Sequence, residues 1–136
     1  MEFNSKIERG PKKKILLADD DEGVLTAVAA MLSEVYEVET AINGKDLLDR
    51  ILSKERFDLI LSDNNMPLMD GIEVLEGTRA NSINTPFVLW SGAGDDNLQK
   101  RVEASDNSRY LEKMESLGSI EDIIQEMIEK DKAGQR

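Results

Sequence analysis

Residues 57–71 read FDLILSDNNMPLMDG. The run from Phe57 to Ser62 is the strongest apolar stretch in the chain, and a short continuous run of this kind marks a strand buried on both faces, as in parallel sheets covered by helices. It ends on Asp63. Beyond it NNMPLMDG is rich in breakers, and Ile72, Val74 and Leu75 then begin a short helix, with Asp70 and Gly71 at the turn that starts it. The stretch is therefore strand, acidic loop, helix.

The same grammar extends in both directions. Upstream, Lys14–Ala18 (KILLA) is another continuous apolar run, closed by Asp19, Asp20 and Asp21 and followed by Val24, Leu25, Val28, Met31, Leu32 and Val35 at helical spacing. Tyr36–Thr40 reads as a strand, and Asn43 and Gly44 turn the chain into a helix with Leu47, Leu48, Ile51 and Leu52 inward. Downstream, Pro86 opens a strand over Phe87–Trp90, Asp95–Ala104 is weakly helical, and Arg109–Glu112 is a marginal edge strand. Ile120, Ile123, Ile124, Met127 and Ile128 define a last helix. Numbering the strands β1–β5 and the helices α1–α5, the alternation implies right-handed crossovers and an α/β fold. For five strands the expected arrangement is a flavodoxin-like doubly wound parallel sheet of order 2-1-3-4-5, a (βα)5 three-layer sandwich.

Composition narrows the chemistry. The 136 residues include neither Cys nor His, which removes disulfides, thiolate nucleophiles, zinc-thiolate sites, histidine bases and serine-histidine triads. Carboxylates, hydroxyls, lysine or a metal remain. A net charge of −11 repels phosphate backbones, so nucleic-acid binding by this segment is not expected. The sequence shows no signal peptide and no membrane-spanning run, and it reads as a soluble cytoplasmic protein. Residues 1–12 read as a flexible arm or an expression remnant, 13–131 as the folded domain, and 132–136 as a tail.

Ligands of open parallel sheets bind beyond the carboxyl ends of the strands where the strand order reverses, here between β1 and β3. Asp19, Asp20 and Asp63 converge there. Such carboxylates raise one another's pKa unless a counter-charge intervenes, and Mg²⁺ meets that need with one or two carboxylates, several waters and a substrate phosphate. Ser91, with the small residues Gly92 and Ala93 behind it, follows β4, and Lys113 follows β5. Phosphoryl transfer asks of a protein a nucleophile, a metal and donors for the equatorial oxygens, and a carboxylate can be the nucleophile.

These residues resemble the receiver domains of response regulators in two-component systems, over about Lys14 to Lys130. The segment ILLADDDE supplies the acidic pair Asp19 and Asp20, and LILSDNNMPLMDG supplies the acceptor Asp63 together with Met66, Pro67, Asp70 and Gly71. PFVLWSGA supplies the hydroxyl of Ser91, and RYLEK supplies the switch aromatic Tyr110 and the lysine Lys113. The resemblance implies Mg²⁺-dependent transfer of a phosphoryl group to Asp63 from a sensor histidine kinase or histidine phosphotransfer protein. It places the metal among Asp19, Asp20, Asp63 and the main-chain carbonyl of Asn65, and phosphoryl contacts on Ser91 and Lys113. It further implies that Ser91 and Tyr110 switch the α4-β5-α5 face toward an effector domain or output protein, with a dimer through that face also open. Such a domain catalyses only its own phosphorylation and dephosphorylation.

The sequence departs from the family at Met114, where proline usually follows the lysine, and at Ala104–Ser108, which lacks the usual glycine-alanine turn. Two rivals stand beside this reading. One is a haloacid-dehalogenase-like phosphotransferase using Asp19 with Asp21, although Gly23 stands where that family has Thr or Val. The other is a receiver-like docking module that is not phosphorylated. For Asp21 a first-turn role in α1 is expected. Met66, Met69 and Met114 are read as packing. Trp90 precedes Ser91, so its side chain is expected to face away from the site into a helix layer.

Overall fold

Alternation along the strands divides the interior into two layers. In the computed structural model, which describes residues 11–92, 94–113 and 119–134, Ile15 and Leu17 face one apolar cluster while Leu16 and Ala18 face the other. The same split separates Leu59 and Leu61 from Ile60, and Val88 and Trp90 from Phe87 and Leu89. Side chains of successive strand residues point to opposite faces, so a strand covered on both sides must be apolar at every position. That is why the runs at residues 14–18, 59–62 and 87–90 are continuous.

The strands are β1 Lys14–Ala18, β2 Glu37–Ala41, β3 Leu59–Asp63, β4 Phe87–Ser91 and β5 Ser108–Glu112. All pair in parallel in the order 2-1-3-4-5, as expected for this flavodoxin-like architecture. The helices are α1 Glu22–Leu32, α2 Gly44–Leu52, α3 Gly71–Ala80, α4 Asp96–Glu103 and α5 Ile120–Gly134. Leu25, Val28 and Leu32 of α1 join Ile120, Ile124, Met127 and Ile128 of α5 on one face. Leu47 and Ile51 of α2, Ile72, Val74 and Leu75 of α3, and Leu98 and Val102 of α4 cover the other.

Several details differ from the sequence reading. Val35 and Leu52, expected on inward stripes, are 45% exposed, because each lies at or beyond the last turn of its helix, where the stripe has rotated off the sheet. Asp21 precedes α1 as its N-cap, its carboxylate accepting from the N–H groups of Gly23 and Val24, rather than lying within the first turn. The turn after α4 is made without glycine, since Asn107 adopts φ 55°, a conformation that Asn tolerates better than most side chains. Its amide donates to the carbonyl of Asn84 and to Asp131. Met66 is buried and Met69 packs against the α2–α4 layer, whereas Met114 and the bond preceding it lie outside the described residues.

Candidate phosphoacceptor site

The loop that follows β3 is built around Asp63 by two close approaches. A Cβ at Gly71 would come within 2.5 Å of the Asp63 carbonyl, and one at Gly44 within 1.7 Å of the Met69 carbonyl, so neither position admits a side chain without movement of the backbone. Asn64 secures the return of the chain: its carbonyl accepts from Gly71 N–H and its side-chain oxygen from Ile72 N–H. Asp70 and Glu73 then form a reciprocal capping box at the start of α3, satisfying two orphan donors of the helix. Between these anchors, Met69 N–H bonds back to the Pro67 carbonyl across Leu68, which has φ 74°. That is the form of a γ-turn, and it is uncommon for a non-glycine residue.

At the crest of the sheet, Asp19, Asp20 and Asp63 each offer a carboxylate oxygen within 4.8 Å of the others. Asp19 and Asp63 are buried, and Asp20 is exposed. One oxygen of Asp19 accepts from Asp21 N–H at 2.9 Å, and the other meets the Lys113 ammonium at 2.9 Å. The same ammonium is 3.3 Å from Asp63. Burial is the largest influence on the Asp63 carboxyl and pushes it above the usual carboxylate range; the Asp19 charge adds to this while Lys113 opposes it. For Lys113, burial acts to lower the pKa, but the hydrogen bond it donates to Asp19 and the charges of both carboxylates outweigh it and hold the ammonium protonated more firmly than usual.

Three carboxylates thus face one lysine. This donor set is all oxygen, partly buried and open through Asp20, which suits a hard divalent cation such as Mg²⁺.

The remaining candidates assemble around these groups. Ser91 is the last residue of β4 and is buried. Asn65 is exposed two residues beyond Asp63. Tyr110 is half-buried against the α2–α4 layer, and its hydroxyl accepts a hydrogen bond from Asp95 N–H at 3.2 Å, in the loop leading from Ser91 to α4.

One expectation fails. Trp90 does lie in the core, but it does not face away from the site, for Asp63 and Trp90 are register partners on neighbouring parallel strands and project to the same face. The Lys113 ammonium lies 5.3 Å from the centre of the Trp90 ring. Reasoning from Ser91 gave the wrong side of the sheet; reasoning from Asp63 through the strand register would have given the right one. The role of the Asn64 side chain was also missed, and its only sequence signal is an amide directly after the strand-end aspartate.

The doubly wound sheet thus carries an acidic crest with an opposed lysine. The response regulator receiver domain model matches residues 15–125. The chain therefore belongs to the response regulator receiver domain family of two-component systems. It is similar to the cell cycle transcriptional regulator CtrA of Caulobacter vibrioides, 35% identical over 102 residues that make up 74% of this chain and 43% of CtrA. It is also similar to sporulation initiation phosphotransferase F of Bacillus subtilis, 36% identical over 93 residues, 67% of this chain and 74% of that protein. Among solved structures, the receiver domain of the Francisella response regulator 1452 superposes with a TM-score of 0.79 at 27% identity, covering 88% of this chain and 99% of that one. The chain spans only 34% to 57% of the length of the transcriptional regulators it matches.

Proposed function

We propose that Asp63 accepts a phosphoryl group from a phosphohistidine, supplied by a sensor histidine kinase or a histidine phosphotransfer protein. The observation that carries this reading is the Lys113 ammonium set between Asp19 and Asp63 at 2.9 and 3.3 Å, beside a third carboxylate and the buried Ser91. An Asp63 oxygen attacks phosphorus; its bond to the donor nitrogen breaks, and the electron pair leaves with the imidazole. Asp19, Asp20, Asp63 and the main-chain carbonyl of Asn65 would hold Mg²⁺, which when bound neutralises charge on the transferring group. Lys113 and Ser91 would each bond an equatorial phosphoryl oxygen.

Phosphorylation replaces the single negative charge of the Asp63 carboxylate with a phosphoryl group of roughly −1.5 to −2 charge set further out, which draws Ser91 and Lys113 toward it. Ser91 leads into the loop whose Asp95 N–H is bonded to Tyr110. A shift of Ser91 would therefore disturb Tyr110 and the α4-β5-α5 face, where an effector domain, an output protein or a second copy would read it. The chain's own chemistry is confined to gaining and losing this phosphoryl group. The dehalogenase-like alternative is disfavoured because Asp21, its second acid, is spent on capping α1.

The test is incubation with Mg²⁺ and acetyl phosphate, read by intact mass. One phosphoryl group is expected on the native protein and none on Asp63→Asn. Normal labelling of Asp63→Asn with loss in Asp19→Asn would transfer the nucleophile to Asp19, and no labelling of any form would leave the unphosphorylated docking module.

A further inference from the structure

The only tryptophan of the chain stands at the one position of β4 that pairs with the phosphoacceptor. Trp90 is 2% exposed and packs among residues of the α1/α5 layer, yet its ring centre is 5.3 Å from the Lys113 ammonium. That ammonium is therefore bounded by two carboxylates and an indole. We propose that Trp90 is a positioning residue for Lys113, holding the lysine over the acceptor oxygen while its ionic partners change during transfer; this rests on the reading of Asp63 as phosphoacceptor.

The physical case starts from the lysine. Its charge sits on a flexible four-carbon stem, here 24% exposed, so carboxylates alone do not define where it goes once their charge is altered. When acetyl phosphate is the donor, the bond between an Asp63 oxygen and phosphorus forms as the bond from phosphorus to the acetate oxygen breaks, and acetate departs with the electron pair. Negative charge then leaves the Asp63 carboxylate for the phosphoryl oxygens beyond it. The ion pair at Asp63 weakens at the moment the lysine is needed further out. The indole face does not change charge in this step, and cation–π attraction within about 6 Å of the centroid, strongest for Trp, persists throughout. Trp90 is the constant contact, Asp63 the variable one.

The experiment is the rate of phosphorylation by acetyl phosphate with Mg²⁺, measured for the native protein, Trp90→Leu, Trp90→Phe, Lys113→Ala and each Trp90 variant combined with Lys113→Ala. Trp90→Leu is expected to slow the reaction by about three- to tenfold, the range of a partly desolvated cation–π contact, with Trp90→Phe in between. In the Lys113→Ala background, both Trp90 substitutions are expected to have no further effect. In metal-free protein, Lys113→Ala should also shift the emission of Trp90, while the urea midpoint reports folding separately. If Trp90→Leu does not fold, Trp90→Phe with and without Lys113 carries the same comparison. Equal slowing by the Trp90 substitutions with and without Lys113 would overturn the proposal by showing a purely structural role. Absence of phosphorylation in the native protein would instead overturn the parent reading, and this one with it.

Discussion

Two of the charged clusters on this sheet are treated oppositely by their environment. At the crest, Asp19 and Asp63 share Lys113 while the Asp20 carboxylate lies beside them, three acids to one base. Along the β2 edge, Glu37, Glu39 and Glu55 share Lys14 and Arg50, with contacts of 2.8 to 3.7 Å. Hydrogen bonding to Lys14 holds the Glu55 carboxyl below its usual range, whereas burial holds Asp63 above it. The edge network ties β1, β2 and the end of α2 together, and each of its ions is close to a partner of opposite sign. The crest keeps an excess of buried negative charge that the fold itself does not resolve. Ionisable groups held at a cost to the apo fold are found where a ligand completes them, and this contrast separates the site from ordinary structural charge.

The contrast breaks most visibly with metal. A cation that binds only the folded crest stabilises it by RT ln(1 + [L]/Kd), about 1.4 kcal/mol when Mg²⁺ is ten times its Kd. Urea unfolding with Mg²⁺ and with EDTA should show this gain in the native protein and its loss in Asp20→Asn. In EDTA, Asp63→Asn should raise the urea midpoint, because a neutral side chain escapes both the burial penalty and the Asp19 charge. A fall in stability there would mean that the lost attraction to Lys113 outweighs them. The edge should respond with the opposite sign. Glu55→Gln removes contacts to both Lys14 and Arg50 and is expected to lower the urea midpoint, by less than the crest effects and independently of Mg²⁺. Partly exposed ion pairs contribute little individually, so a large loss would show the edge to be a stronger brace than its exposure implies.

What the sequence made legible follows from which forces are local. Continuous apolar runs at Lys14–Ala18 and Phe57–Ser62 located the central strands because burial on both faces leaves no polar position. The convergence of Asp19, Asp20 and Asp63 followed from topology alone, since the crest of a doubly wound sheet gathers the residues that end its strands. Lys113 and Ser91 were placed by the same rule. Trp90 was not, because its relation to Asp63 depends on the register between two strands, a non-local quantity that alternation within β4 does not contain. Asn107 in place of a turn glycine, and Asn64 bonded to Ile72, were likewise invisible. Each depends on backbone geometry that several side chains could have satisfied.

The smallest effect is the most discriminating, because it tests the sign of the contrast rather than its size. An acid whose folded pKa lies below its unfolded value contributes stability that is present above the unfolded pKa and is lost as pH falls through the folded one. Glu55 is such a group, so its contribution should disappear on acidification through and below the ordinary carboxylate range. Asp63 is the reverse. Its folded pKa lies above the unfolded value, so the folded protein binds a proton more readily than the unfolded chain, and the penalty it imposes is full above the folded pKa and relieved as pH falls toward the unfolded one. Metal-free urea midpoints measured from pH 7 down to pH 4 should therefore give difference curves of opposite slope. The advantage of Asp63→Asn over the native protein should shrink as pH falls, and the deficit of Glu55→Gln should shrink too, but from the other side of zero. If the Asp63→Asn curve instead begins below zero at pH 7 and rises on acidification, Lys113 stabilises the ionised Asp63 carboxylate more than burial destabilises it. The crest would then be a satisfied ion pair like the edge, with no electrostatic cost for a cation to relieve.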